Sequence, residues 1–168
     1  GEGDNWVVKT NNGKIFSTPN VIIAGGVGSF EPRKFPVKDC EKFENKSVLY
    51  SIKDKKIFEG KTVSIFGGGD SALDWAVELS KNSKVNLIHR RDDFRGAQST
   101  VDKVNELAKK GTINLYTKYQ LSNVNGENNL ESIDIKHDNG EIKNIKTDYA
   151  LGFFGLIMQL GPIANWGL

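Results

Sequence analysis

Two short stretches carry residue types that could do chemistry. In VSIFGGGDSALDWA, Gly67, Gly69 and Ala72 stand at the spacing G-x-G-x-x-A, directly after an apolar run that ends at Phe66. Gly67 permits a tight turn from strand to helix, with Gly68 inside it. Gly69 has no Cβ, so a pyrophosphate can approach the backbone, and Ala72 lets the helix pack closely on the strand. Free N–H groups at the helix start, around Asp70 and Ser71, would then face the phosphates, with the Ser71 hydroxyl a candidate donor. The second stretch is VNLIHRRDDFR, which sets His89, Arg90 and Arg91 at the end of the next apolar run and Arg95 four residues on. A reader of the ribose 2′-hydroxyl carries an acidic residue about 20 residues after the glycines. Here that region holds two guanidiniums, whose planar forks suit a 2′-phosphate. The expected ligand is therefore NADP(H) rather than NAD(H). His89 either adds a third contact or caps the strand.

These side chains need a strand–turn–helix–strand frame. TVSIF and KVNLIH read as buried strands, and the helix between them sets the small and apolar Ala72, Leu73, Ala76, Val77 and Leu79/Ser80 on one side. STVDKVNELAKKG places Val101, Val104, Leu107 and Ala108 at helical spacing with Gly111 at its C-terminal end, and TINLY supplies a third strand. The alternation predicts an α/β, Rossmann-like three-layer domain with a parallel sheet and right-handed crossovers. The period then shifts to two. QLSNV, LESIDIK and EIKNIKT, joined by NGENN and HDNG, predict an antiparallel β-meander before a last apolar strand at Tyr149–Gly155. Gly155, at that strand's end, is placed to approach the cofactor. Upstream, NWVVKT and KIFST flank Asn11-Asn12-Gly13, a hairpin signal. VIIA (Val21–Ala24) reads as a strand buried on both faces and ended by Gly25 and Gly26. Residues 29–60, with Pro32 and Pro36, read as a linker with short structured pieces.

Composition narrows the classes. A chain of 168 residues with 38% hydrophobic content can build one ordinary core. A net charge of +2 argues against a nucleic-acid or membrane-surface binder. No apolar run approaches the ~18 residues of a bilayer span. Cys40 is the sole cysteine, which excludes an internal disulfide and fits a reducing, cytoplasmic setting. With His89 and His137 the only histidines, no metal site is expected. The chain opens Gly1-Glu2-Gly3 and closes on NWGL, which suggests a piece of something longer.

The pair GGGDSALDWA and HRRDDFR resembles the NADPH-binding domain of the thioredoxin-reductase-like flavoproteins, whose motif is GGGxSA followed by HRRxxFR. The resemblance runs through the whole chain. VIIAGGVGSFEPRKF is similar to the segment leaving their FAD domain, and FFGLIMQLGPIANWGL to the segment returning to it, apart from a more apolar Ile157-Met158 than that family leads one to expect. This implies an end of the first half of an FAD domain plus linker at 1–45, an NADP-binding domain at 46–155, and a return linker at 156–168. Thioredoxin reductases carry a CxxC followed by Asp before the glycine turn. The corresponding stretch here is Tyr50-Ser51-Ile52-Lys53-Asp54, with the Asp and neither cysteine. SVLYSIKDKKIFEGK, GGGDSALDW and LGPIANWGL are similar instead to the bacterial ferredoxin/flavodoxin–NADP reductases of that type. The resemblance implies electron exchange between NADP(H) and ferredoxin or flavodoxin through FAD, with no acid–base catalytic residue, and a fragment inactive without the FAD domain. It makes Tyr50 and Asp54 candidate flavin-facing positions and the parent a candidate homodimer. Two rival readings are a thioredoxin reductase, opposed by the missing CxxC, and a stand-alone NADP-binding sensor.

Overall fold

The computed structural model describes residues 5–24, 29–159 and 161. Trp6–Lys9 (β1) and Ile15–Thr18 (β2) form the expected antiparallel hairpin, with Trp6 opposite Thr18 and Lys9 opposite Ile15. Gly13 turns it at φ 80°, a conformation that glycine adopts without strain. Val21–Ala24 departs from expectation. It joins no sheet, and Ile22 is 91% exposed. A buried strand must hand its N–H and C=O groups to neighbouring edges, and none of the described strands pairs with this run. Gly25 and Gly26, and the closing residues 162–168, lie outside the described residues.

The chain divides into two compact units, Gly1–Phe30 with Met158–Leu168, and Glu31–Ile157. The second contains a five-stranded parallel sheet. Its strands are Val48–Leu49 (β4), Thr62–Phe66 (β5), Lys84–His89 (β6), Ile113–Thr117 (β7) and Tyr149–Gly152 (β11), in the order β4-β11-β5-β6-β7. Helices α1 (Asp70–Leu79) and α2 (Gln98–Lys109) make the two crossovers, as the alternation predicted. Ala72, Leu73, Ala76 and Leu79 of α1 are buried against Val63, Ile65, Val85 and Leu87 of the sheet. Between β7 and β11 lies the meander: Tyr119–Asn125 (β8), Ser132–His137 (β9) and Ile142–Lys146 (β10), antiparallel in the order β10-β9-β8. Ser29–Pro32 (β3) and Leu156–Gln159 (β12) form a separate two-stranded sheet within the stretches expected as linkers. The last apolar strand is therefore shorter than expected. It stops at Gly152, and Phe153–Gly155 form an irregular link before β12.

A row of polar side chains fixes the register of the sheet. Ser64, Asn86 and Asn114 stand opposite one another on β5, β6 and β7. Asn114 Nδ2 donates to Asn86 Oδ1 (2.9 Å), Asn86 Nδ2 donates to Ser64 Oγ (3.2 Å), and Ser64 Oγ donates to Thr147 Oγ1 (2.9 Å). Thr147 in turn donates to backbone carbonyls. A one-residue slip would break every link of the row at once, so these bonds specify alignment where apolar contacts alone would tolerate a shift. Among the described residues no buried side-chain polar atom lacks a partner, and no helix is long and apolar enough to cross a membrane.

Candidate functional site

The C-terminal ends of β11, β5 and β6 open onto a cleft of about 550 Å³. An open α/β sheet binds its ligands at this edge. The glycine turn sits in the middle. Gly67, Gly68 and Gly69 all line the cleft, and Gly69 is the N-cap of α1. Gly67 adopts φ 154°, and a Cβ there would meet Ala72 Cβ and the Phe153 carbonyl at 2.7 Å each. Close packing of strand, helix and the neighbouring link therefore requires glycine at this position. Gly69 differs, because a Cβ built on it meets nothing within 4 Å. Its missing side chain leaves open space rather than relieving an internal clash, as a phosphate cradle needs. No side chain caps α1, so its first N–H groups are not claimed that way.

The arginine loop is bound tightly to this turn. Gly67 N donates to Ile88 O (3.1 Å) and Arg95 N donates to Gly68 O (2.7 Å). Asp70 Oδ1 accepts from Ala97 N at 2.7 Å. The structure thus gives Asp70, expected simply as a first-turn residue, the work of clamping the β6–α2 loop to the helix start. Ser71 is exposed at that start and Ala72 is fully buried. His89 is half-buried, and its ring stacks on Phe94 with centroids 5.2 Å apart. Its Nε2 lies 3.1 Å from the Asp93 carbonyl. A Cβ on Gly68 would run into this ring. Burial above all, and then the charges of Arg91, Arg90 and Arg95, hold the imidazole below its ordinary pKa of 6.5. It is thus neutral at pH 7, a spacer between loop and turn more than a cation.

Arg90, Arg91 and Arg95 are exposed and all line the cleft. None of them pairs with a carboxylate among the described residues; the neighbouring Asp92 is paired with Lys118 at 2.7 Å. Three guanidiniums that repel one another and have no counterion among the described residues make a candidate anion site. Gly155 also lines the cleft, at φ 84° with open space where a Cβ would point. Tyr50 and Asp54 do not line it. The Tyr50 hydroxyl accepts from Phe35 N (3.2 Å) and donates to Glu44 Oε1 (3.2 Å), and burial raises its pKa. Asp54 caps a short 3-10 helix by accepting from Lys56 N at 2.9 Å. The motif reading did not include Arg33, Phe35, Phe153 and Tyr119, which line the same cleft. Arg33 did leave a trace in the composition: the chain has 19 lysines and four arginines, and all four arginines are here.

The fold and the turn define the class, a Rossmann-type α/β domain with a glycine-rich strand-to-helix turn. The chain belongs to the pyridine nucleotide-disulphide oxidoreductase family, whose model matches residues 1–166. It is 68% identical over 163 residues to the ferredoxin–NADP reductase of Pelagibacter ubique, covering 97% of this chain and 48% of that protein. It is 49% identical over 170 residues to ferredoxin–NADP reductase 1 of Christiangramia forsetii, covering 99% and 48%. The chain thus spans about half the length of the curated relatives it matches. Among solved structures, the thioredoxin reductase of Lactococcus lactis superimposes with a TM-score of 0.81 at 23% identity, over 99% of this chain and 54% of that one. The thioredoxin reductase of Streptococcus pyogenes gives 0.76 at 21%, with the same coverage. At these identities the likeness is one of fold.

Proposed function

We propose that this chain is the NADP(H)-binding part of an FAD-dependent oxidoreductase that exchanges electrons between NADP(H) and ferredoxin or flavodoxin. The observation that carries the reading is the set of three arginines without carboxylate partners among the described residues, on a loop bonded directly to the glycine turn. Relatives that cover nearly all of this chain, and are named ferredoxin–NADP reductase, support the choice of acceptor. Residues 46–155 hold the cofactor in this reading, and the flavin belongs to the portion of the enzyme beyond this chain. A cytoplasmic setting and a homodimeric parent are part of the same proposal. A dithiol relay needs two cysteines, and this chain supplies only Cys40, which is 1% exposed.

When bound, the nicotinamide supplies or accepts a hydride, and the flavin divides the pair into single electrons. The residues of this chain do the positioning. Gly68, Gly69 and the start of α1 present N–H groups to the pyrophosphate, while Gly67, its own N–H bonded to Ile88 O, shapes the turn. Arg90, Arg91 and Arg95 hold the 2′-phosphate, and the His89 ring keeps their loop at a fixed distance from the turn. None of these steps asks a side chain of this chain to move a proton.

The test is a pair of dissociation constants by calorimetry. NADP+ should bind at least about tenfold more tightly than NAD+, because one charge-assisted bond at an exposed position contributes about 1.4 kcal/mol. Arg90→Ala and Arg91→Ala should erode that ratio and leave NAD+ binding unchanged. Equal constants for the two dinucleotides with the unmodified chain would remove the reading.

A further inference from the structure

Arg33 lies outside both motifs. It sits on the segment that follows β3, and its side chain is exposed on the wall of the cleft. We propose that Arg33 binds the distal phosphate of the dinucleotide, the one nearer the nicotinamide, from the side opposite Arg90, Arg91 and Arg95. The inference rests on the reading of the cleft as an NADP(H) site.

Position is the first argument. Along the sheet edge the order is β11, β5, β6. The three known arginines follow β6, and the glycine turn follows β5. Arg33 is tied to the segment after β11, since its N–H donates to the Gly155 carbonyl at 3.1 Å. That segment is itself held beside β5 by Phe153 N donating to Phe66 O at 2.8 Å. A dinucleotide with its 2′-phosphate at β6 must cross the glycine turn on its way toward β11. After the adenosine-side phosphate, the next anion it carries along that path is the distal phosphate.

Charge is the second argument. Lys34 also lines the cleft, but its ammonium is bonded to Glu44 at 2.7 Å. Arg33 has no such partner among the described residues. In a chain where lysine outnumbers arginine 19 to four, the cleft's cations with no ion-pair partner among the described residues are all arginine. Arginine's fork is the one that engages two phosphate oxygens at once.

Anchoring is the third. Two residues on, Phe35 is buried, with its ring edge-on to Phe66 at 5.0 Å and to Phe154 at 5.0 Å. Its N–H is also bonded to Tyr50. The backbone on both sides of Arg33 is thereby held, so the guanidinium extends from a fixed root.

The experiment compares three ligands on the full chain and on Arg33→Ala. NADP+ and 2′-phospho-ADP-ribose carry the distal phosphate. Adenosine 2′,5′-bisphosphate lacks it and keeps the 2′-phosphate. Arg33→Ala should weaken the first two about tenfold and leave the third unchanged, and Arg33→Lys should recover part of the loss. The side chain is exposed, so the fold should survive the change. An equal loss for the bisphosphate would assign Arg33 to the adenosine side and overturn the proposal, as would no loss for any ligand. If the unmodified chain fails to bind NADP+ at all, the functional reading falls as well. If it binds and Arg33→Ala is silent, only this inference falls.

Discussion

The packing of His89 on Gly68 makes a sharp prediction. Gly68 does not require glycine for its backbone, since its φ lies outside the left-handed range. It requires glycine because a Cβ would run into the imidazole. In Gly68→Ala the ring must leave its place. It then loses the stack on Phe94, worth about 0.5–1.5 kcal/mol, and the bond to the Asp93 carbonyl, worth a similar amount. The expected destabilisation is about 1–3 kcal/mol. The same substitution made in a His89→Ala background meets no ring. There its remaining effect is the restriction of the unfolded chain, which stabilises by about 0.4–1 kcal/mol. The two backgrounds should thus give effects of opposite sign. Urea denaturation of the four proteins in this double-mutant cycle measures the difference directly. If Gly68→Ala costs the same with and without the imidazole, the ring does not set the spacing of the turn, and the reasoning is refuted.

Two other outcomes follow from buried titratable groups. The folded chain keeps His89 neutral below 6.5 while the unfolded chain protonates it there. Unfolded molecules then bind more protons, so stability should fall as pH drops through about 6.5 and level off only below the folded-state pKa. His89→Ala should show a shallower fall in urea midpoint between pH 8 and 5, and identical slopes in both proteins would count against it. Burial pushes the Cys40 thiol up to about 11. Only about 0.1% is thiolate at pH 8, so iodoacetamide should label it rapidly in urea and very slowly in native buffer. Rapid native labelling would mean that the segment around the 3-10 helix Lys38–Phe43 opens readily.

The parts of this fold that could be read in advance are local ones. β5, α1 and β6 follow one another with short turns, and the glycine spacing that joins them is itself a local code. The meander announced itself through its period of two and its Asn-Gly turns. What could not be read is set by distant pairing. β11 lies between β4 and β5, although more than 80 residues separate it from β5 in sequence. Nothing within Tyr149–Gly152 specifies that neighbour. Val21–Ala24 has the composition of a buried strand, but composition states a preference and only a partner edge makes a strand. Asp70 and Arg33 show the same limit at the site. A carboxylate at a helix start looks like an ordinary first-turn residue until the loop it clamps is in place. An arginine in a proline-flanked linker looks like solvated charge until the fold brings it to the cleft.

The bonds between turn and loop also bear on how affinity and selectivity divide. Gly67 N, Arg95 N and Ala97 N are all committed to bonds that join the β5 and β6 ends, and Phe153 N joins the β11 end to them. The backbone that would hold the pyrophosphate is therefore in place before any ligand arrives, and ordering it on binding costs little. The arginine side chains are exposed and must be ordered on binding, at about 0.5–1.5 kcal/mol each. The two functions thus rest on different kinds of atoms. On the proposed function, recognition of a dinucleotide belongs to backbone groups that few substitutions can remove without unfolding the turn. On the same proposal, the choice between 2′-phosphate and 2′-hydroxyl belongs to side chains that can be exchanged while the turn stands. Changes at Arg90, Arg91 and Arg95 should therefore alter which dinucleotide is preferred, whereas changes at Gly67 or Asp70 should weaken both dinucleotides together.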